Sequence, residues 1–173
     1  LEPPADVDAA YKLWFDRTQK DDEEVRRLID IVLASREPLS SAHVDRLRLR
    51  ETCKRLPGWG LLFEERDHLL QTLHLSLREF LGDAKRSSEH AADVFRGHRE
   101  LARSCLDVLK RGDDEKGPAV AYSLRHAHVH LTEAVEKMLH EGGDETIAID
   151  VMKEWSDAFM VEREEKEASM IPE

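Results

Sequence analysis

The sequence predicts an all-α fold, an elongated up-and-down bundle of about six helices. Leu dominates its apolar residues, and Leu, Glu, Arg and Lys lose little rotamer freedom in a helix. No alternation of apolar and polar residues extends over six or more positions, so the sequence shows no long strand signal. Instead, Gly and Pro separate stretches in which apolar residues recur every three or four positions.

The first predicted helix begins near Asp6, and apolar residues follow at helical spacing as far as Val32. We interpret this stretch as one long helix whose polar residues 19–24 form a surface turn. A break is the alternative, because Asp21 and Glu24 have the spacing of a capping box.

The next two predicted helices differ in how apolar they are. The second, from about Ala42 to Leu56, has few apolar positions and is expected at the surface. The third, from about Leu61 to Leu81, carries a broad apolar stripe, which is typical of a helix buried between several neighbours.

Three more helices are predicted after Gly82. The fourth runs from Ser87 or Ser88 to Arg111, the fifth from Pro118 to Gly142, and the last begins at Asp144. The predicted buried face of the fourth helix is Ala91, Val94, Phe95, His98, Leu101, Cys105 and Val108, and that of the fifth is Ala121, Leu124, His128, Leu131, Val135 and Met138.

The chain is expected to form one domain over residues 1–173, cut from a larger intracellular protein, with residues 162–173 as a frayed acidic tail. Cys53 and Cys105 are too few for a disulfide scaffold and have no metal-binding spacing. Reduced thiols in the cytoplasm or the nucleus are therefore the simplest interpretation, and we predict a cytoplasmic location.

Charge restricts the possible partners. The net charge of −11 argues against nucleic acid and against anionic membranes, both of which attract basic surfaces. Residues 42–56 are nevertheless basic, and residues 144–173 are acidic. These regions are either two solvated or mutually attracting faces, or the first is a docking helix for an acidic partner. In the second case Arg46, Arg50, Lys54 and the loop aromatic Trp59 are the predicted partner-binding residues.

Histidines form the main group with potential chemistry. His126 and His130 lie four residues apart on one predicted helix face, and Glu133 follows within one turn, which makes these three residues a candidate transition-metal site. His98 and His128 fall on predicted buried faces, where they are either neutral core imidazoles or parts of a ligand- or pH-responsive switch. Gly97, beside His98, either permits close approach of another backbone or is a product of neutral drift.

No catalytic motif or phosphate-binding loop is present, and we predict no enzyme activity and no cofactor. The leading hypothesis is a non-catalytic protein-interaction domain, an adaptor, scaffold or regulatory module that binds a protein partner or self-associates. The alternative is a ligand- or metal-sensing bundle that uses the histidines.

Overall fold

The computed structural model describes residues 6–18, 22–55, 59–67, 69–72, 74–111, 117–140, 152–153 and 155–156. Across these ranges the chain is predominantly α-helical, which confirms the predicted fold class. A small three-stranded sheet, which the sequence did not predict, accompanies the helices. Within the same ranges, no helix combines the length and apolar character needed to cross a bilayer.

The elements run, in chain order, α1 (Val7–Thr18), α2 (Glu23–Ala34), β1 (Leu39–Ser40), α3 (Ser41–Arg46), α4 (Arg50–Arg55), α5 (Trp59–Leu62), β2 (Phe63–Arg66), β3 (Leu69–Thr72), α6 (Leu75–Gly82), α7 (Ala84–Ser87), a 3₁₀ turn (Ser88–His90), α8 (Val94–Arg111) and α9 (Pro118–His140). The chain divides into two compact units, residues 1–97 and residues 98–173, with the boundary inside α8. The predicted tail, residues 162–173, and most of the predicted last helix lie outside the described residues. The single-domain interpretation of residues 1–173 stays a prediction.

The preferred interpretation of one long first helix is wrong, because α1 and α2 are separate helices. Asp22 caps α2: its Oδ1 accepts hydrogen bonds from the backbone N–H groups of Glu24 and Val25, at 3.1 and 3.3 Å. An Asp side chain at this position satisfies amides that have no partner within the helix. The alternative of a break therefore holds, with the cap one residue later than Asp21.

Helix α2 is the centre of the first unit. Its last seven residues, Leu28–Ala34, are all buried, as expected for a helix covered on every side. Arg78 of α6 closes its C-terminal end by donating to the carbonyl oxygens of Val32 at 3.1 Å and Leu33 at 2.7 Å. A cation at this end also opposes the negative pole of the helix dipole.

The predicted second and third helices are wrong. The region 42–56 forms two short helices, α3 and α4, separated by a turn in which Arg48 adopts a positive φ of 56°. The region 61–81 forms α5, strands β2 and β3, and only then α6. Strand β3 lies between β1 and β2, and both neighbours are antiparallel to it. From α2 onward the chain order is therefore α2-β1-α3-α4-α5-β2-β3, and β2 and β3 form a hairpin.

The hairpin forms although its residues favour helix. Phe63 and Leu70 face the core and are buried, while the pair Glu64 and Gln71 bonds across the strands at 2.6 Å. Asp67 begins the connection with a positive φ of 52°, the conformation that tight hairpin turns require. Tertiary burial therefore decides the structure over the local helix propensity of Leu, Glu and Arg.

Helix α8 begins at Val94, later than predicted. Asp93 caps it by accepting from the backbone N–H of Arg96 at 3.0 Å, and Asp30 of α2 accepts from the backbone N–H of Asp93 at 2.8 Å. The close approach allowed by Gly97 is confirmed. A Cβ there would lie 2.1 Å from the carbonyl oxygen of Asp30 and 2.7 Å from the Cβ of Ala34.

The predicted buried face of α8 is confirmed from His98 onward, whereas Ala91 precedes the helix and Val94 and Phe95 are only half-buried. Of the six residues in the predicted face of α9, Val135 alone is buried. His98, Leu101, Cys105 and Val108 of α8 are buried. In α9, His128 and Leu124 are exposed, and the buried face is Ala119, Val120, Tyr122, Ser123, Ala127, His130, Ala134 and Val135. Four of these eight residues are Ala or Ser, and such small side chains let a helix pack closely against its neighbours. The helix begins at Pro118, as predicted.

Candidate functional site

A groove opens where α4 meets the sheet of the first unit. Its volume is about 160 Å³. Val44, Cys53 and Leu70 supply apolar surface, and Arg50, Lys54 and Glu65 surround it with charge. Two of the four predicted partner-binding residues, Arg50 and Lys54, therefore line one concave surface.

The cations of α4 are paired with carboxylates of the same unit. The guanidinium of Arg50 binds Asp45 through two nitrogens, at 2.5 and 3.1 Å, and lies 3.7 Å from Glu65. Lys54 donates to Glu51 at 2.8 Å, and Arg55 lies 3.7 Å from Asp22. These contacts lower the pKa values of Asp45 and Glu51, because hydrogen bonds to a cation favour the charged carboxylate.

The thiol in the groove is not activated. Burial, reinforced by the Glu65 carboxylate, raises the pKa of Cys53 to about 12. Burial raises the pKa of Cys105 in the second unit to about 12 as well. Since the thiolate is the nucleophilic form, neither cysteine has the environment of a catalytic nucleophile.

Of the other two predicted partner-binding residues, Arg46 is not among the described residues that line the groove. Arg46 ends α3 and is half-buried. Trp59 begins α5, and its side chain is outside the described part of the structure. The prediction for these two residues stays untested by geometry.

A second polar cluster, which the sequence did not predict, joins α1 to the 3₁₀ turn. The Nε2 atom of His90 lies 2.9 Å from Oδ1 of Asp16 and 3.9 Å from Oε1 of Glu89. Among the described residues, this is the one group of three His, Cys, Asp or Glu side chains whose donor atoms lie within 4.8 Å of one another. Asp16 and His90 are 74 positions apart, and no local motif connects them.

An open cavity of about 140 Å³ adjoins this cluster and is lined by both Glu89 and His90. Asp30 also lines it, and desolvation raises the pKa of the Asp30 carboxyl to about 6 against the opposing effect of its hydrogen bond from the Asp93 backbone. Arg96 lines the cavity too, and its guanidinium binds Glu23 and lies 3.9 Å from Asp30. The hydrogen bond from Asp93 and the charge of Arg96 therefore offset only part of the cost of burying the Asp30 carboxylate.

The predicted metal ligands do not come together. His130 is buried, with its Nδ1 2.7 Å from Nδ1 of His98 and its Nε2 2.8 Å from the hydroxyl of Tyr122. Both of its ring nitrogens therefore face protein groups. His126 and Glu133 do not join His130 in a group of donor atoms, among the residues that the structure describes. His98 is buried, as expected, whereas His128 is exposed and has no place in a buried pair.

Comparison with known proteins gives no relative: no family model, no curated protein and no solved structure matches this chain. Function must therefore be argued from the geometry of its own sites.

Proposed function

We propose that this chain is a non-catalytic protein-interaction domain, an adaptor, scaffold or regulatory module, whose contact surface is the groove between α4 and the β2–β3 hairpin. One observation carries the proposal. The groove combines an apolar floor with exposed charges of both signs at its edge, so it favours a partner that offers both apolar and charged side chains.

The charge distribution favours protein over nucleic acid. In DNA-binding helix-turn-helix proteins the second helix enters the major groove, and basic side chains neutralise phosphates. Here the three cations of α4 each contact a carboxylate. The hairpin carries Glu64, Glu65 and Asp67 against the single cation Arg66. A surface of this kind lacks the excess positive charge on which phosphate binding depends.

The groove fits a partner segment in which an apolar side chain adjoins a carboxylate. A volume of about 160 Å³ holds one side chain and not a whole helix. Lys54 is mostly exposed, so its ammonium group can exchange the Glu51 carboxylate for that of a partner. Exposed ion pairs contribute little to stability, and such an exchange costs little.

The thiols support a reducing intracellular compartment, and we place the domain in the cytoplasm as part of the same proposal. Cys53 and Cys105 are both free, and both have raised pKa values. A non-catalytic role accords with these inactive thiols.

The test compares the partners of three versions of the full-length protein in cells: the wild type, Lys54→Glu and the control Arg103→Glu. Arg103 is an exposed cation of α8, remote in sequence from the groove. Proximity labelling identifies candidates, and calorimetry with purified partner segments measures affinity. We expect Lys54→Glu to weaken binding about tenfold, since like charge then faces the partner's carboxylate, with no change for Arg103→Glu. Equal affinity of Lys54→Glu and the wild type for every partner would refute the proposal.

Nucleic acid is tested directly with a fluorescent duplex at physiological salt. Specific complexes of helix-turn-helix proteins have dissociation constants of roughly 10⁻⁸ M or tighter. We expect no binding at micromolar protein concentration. Tight, salt-dependent binding that Lys54→Glu weakens would assign the same surface to nucleic acid instead.

A further inference from the structure

The cluster of Asp16, Glu89 and His90 has the composition and spacing of a metal-binding site. Its two segments converge from opposite ends of the first unit's sequence, and the distances of 2.9 and 3.9 Å from His90 Nε2 join nitrogen and oxygen donors. Ligands around one ion at about 2.0–2.2 Å stand roughly 3–3.5 Å from one another. Small side-chain rotations would therefore bring all three donors to a common ion.

The imidazole is fixed and the carboxylates are adjustable. The His90 ring stacks on Phe15, with ring centres 5.4 Å apart and planes 26° apart, and its side chain is 7% exposed. The side chains of Asp16 and Glu89 are 50% and 61% exposed. A preoriented imidazole lowers the entropy cost of binding, and two exposed carboxylates have room to adapt to the coordination geometry.

The adjoining cavity gives solvent access to the cluster. It is lined by Glu89 and His90 and is open to solvent, so water molecules can complete the coordination of an ion held by three protein ligands. Its lining also contains the carboxylates of Glu23, Asp30 and Asp93 against the two cations Arg26 and Arg96. The excess of carboxylates favours a bound cation.

We propose that Asp16, Glu89 and His90 bind a divalent first-row transition-metal ion, with Zn²⁺ as the best fit. One imidazole nitrogen with two carboxylate oxygens selects borderline ions over Mg²⁺ and Ca²⁺, which prefer all-oxygen sites. The bound ion would join α1 to the 3₁₀ turn. This site is separate from the groove at α4 and does not depend on the proposed interaction function.

The competing interpretation is a simple ion pair, in which Asp16 holds His90 and Glu89 plays no part. Glu89→Gln distinguishes the two, because it removes a metal ligand and leaves the contact between His90 and Asp16 in place. Asp16→Asn removes a ligand from α1. The exposed His128 provides the matched control His128→Gln.

The experiment titrates each purified protein with ZnCl₂, MnCl₂ and MgCl₂ by calorimetry, and measures the thermal unfolding midpoint with and without each ion. Circular dichroism verifies that each variant is folded. We expect a single Zn²⁺ site of micromolar or tighter affinity and a raised midpoint in the wild type. Glu89→Gln and Asp16→Asn should each weaken Zn²⁺ binding about tenfold or more, and His128→Gln should not change it.

Two outcomes would overturn the proposal. One is Zn²⁺ affinity in the wild type no tighter than millimolar. The other is an affinity that neither Glu89→Gln nor Asp16→Asn changes, which would place the ion elsewhere or leave the cluster as an ion pair. Loss of partner binding in Lys54→Glu is measured separately, so the two proposals fail independently.

Discussion

Two regions of the first unit differ in whether their polar groups are buried or exposed. Where α2 meets the start of α8, Asp30 is buried and Gly97 lets two backbones touch. At the groove beside α4, Lys54 and Glu51 are exposed and form an ion pair with each other. Buried polar groups and close backbone contacts are costly to alter, whereas exposed ion pairs are easily exchanged. The first region is therefore suited to stability and the second to binding.

The largest expected effect is that of Gly97→Ala. The added methyl group would lie within 2.1–2.7 Å of Asp30 and Ala34, so α2 and α8 must move apart. We expect a loss of about 2–3 kcal/mol in the free energy of unfolding, in spite of the better helix propensity of Ala. Urea denaturation of the wild type and Gly97→Ala measures this loss.

The matched control for this substitution is Gly82→Ala. A Cβ at Gly82 meets no atom within 4 Å, so its stability should be unchanged or slightly higher. Equal stability of the wild type and Gly97→Ala would show that α2 and α8 leave room for a Cβ at position 97, which would contradict the close contact with Asp30.

The next largest effect is expected for Arg78→Ala. Its guanidinium donates to carbonyl oxygens at the end of α2, and its removal leaves Val32 and Leu33 without those donors. Hydrogen bonds from charged groups contribute roughly 1.5–3 kcal/mol, so a loss of about 2 kcal/mol is expected by urea denaturation. Arg78→Lys keeps the charge but not the planar set of donors, so its free energy of unfolding should lie between those of the wild type and Arg78→Ala. Identical curves for all three proteins would contradict this role of the side chain.

The buried carboxylate should give the first unit an unusual pH dependence. The pKa of Asp30 is about 6 in the folded protein, above its usual value of 3.8, so its contribution to stability is complete below pH 4 and declines as pH rises through 6. Asp30→Asn can still accept from the Asp93 backbone and does not titrate. The stability of wild type relative to Asp30→Asn should thus fall between pH 4 and 7, by an amount on the order of 2 kcal/mol.

The titration of His43 changes stability with pH in the opposite direction to that of Asp30. Both the wild type and Asp30→Asn contain His43, so comparing the two proteins cancels its contribution. Burial lowers the pKa of His43 from 6.5 to about 4, so its effect destabilises the fold as pH falls through this range. Both proteins share that effect. A difference between their stabilities that stays constant from pH 4 to 7 would exclude a titrating Asp30.

The smallest expected effect on stability is that of a substitution in the groove. Lys54→Ala removes an exposed ammonium that pairs with the exposed Glu51, and we expect a change of less than about 1 °C in the thermal midpoint. A large destabilisation would show that the groove supports the fold and would remove the contrast between the two regions.

The sequence predicted those features that local pattern determines. The α-helical class, the start of α9 at Pro118, the buried face of α8 from His98 onward and the close approach at Gly97 follow from composition, Pro and Gly placement and periodicity. The hairpin was missed because its strands are four residues long and rich in Leu, Glu and Arg. The face of α9 was misplaced because large apolar side chains were expected inside, where small ones allow closer packing.

Of the candidate sites, the sequence predicted the basic residues of the groove and not their neighbours. Arg50 and Lys54 lie in a recognisably basic segment, but the apolar contribution of Leu70 comes from a strand that periodicity did not reveal. Asp16 and His90 come together only through tertiary packing. Conversely, the spacing of His126 and His130 predicted a shared metal ion, whereas His130 contacts His98 and Tyr122 instead.

The strand order of the sheet has a consequence for the route by which the first unit folds. Strands β2 and β3 are neighbours in sequence, so their hairpin can form within microseconds. Strand β1 pairs with β3 through Leu39 and Leu70, and this pairing must close a loop that contains α3, α4 and α5. The hairpin is therefore the expected early template and β1 the late addition. Substitutions at the Asp67 turn should slow folding, and those at Leu39 should mainly accelerate unfolding.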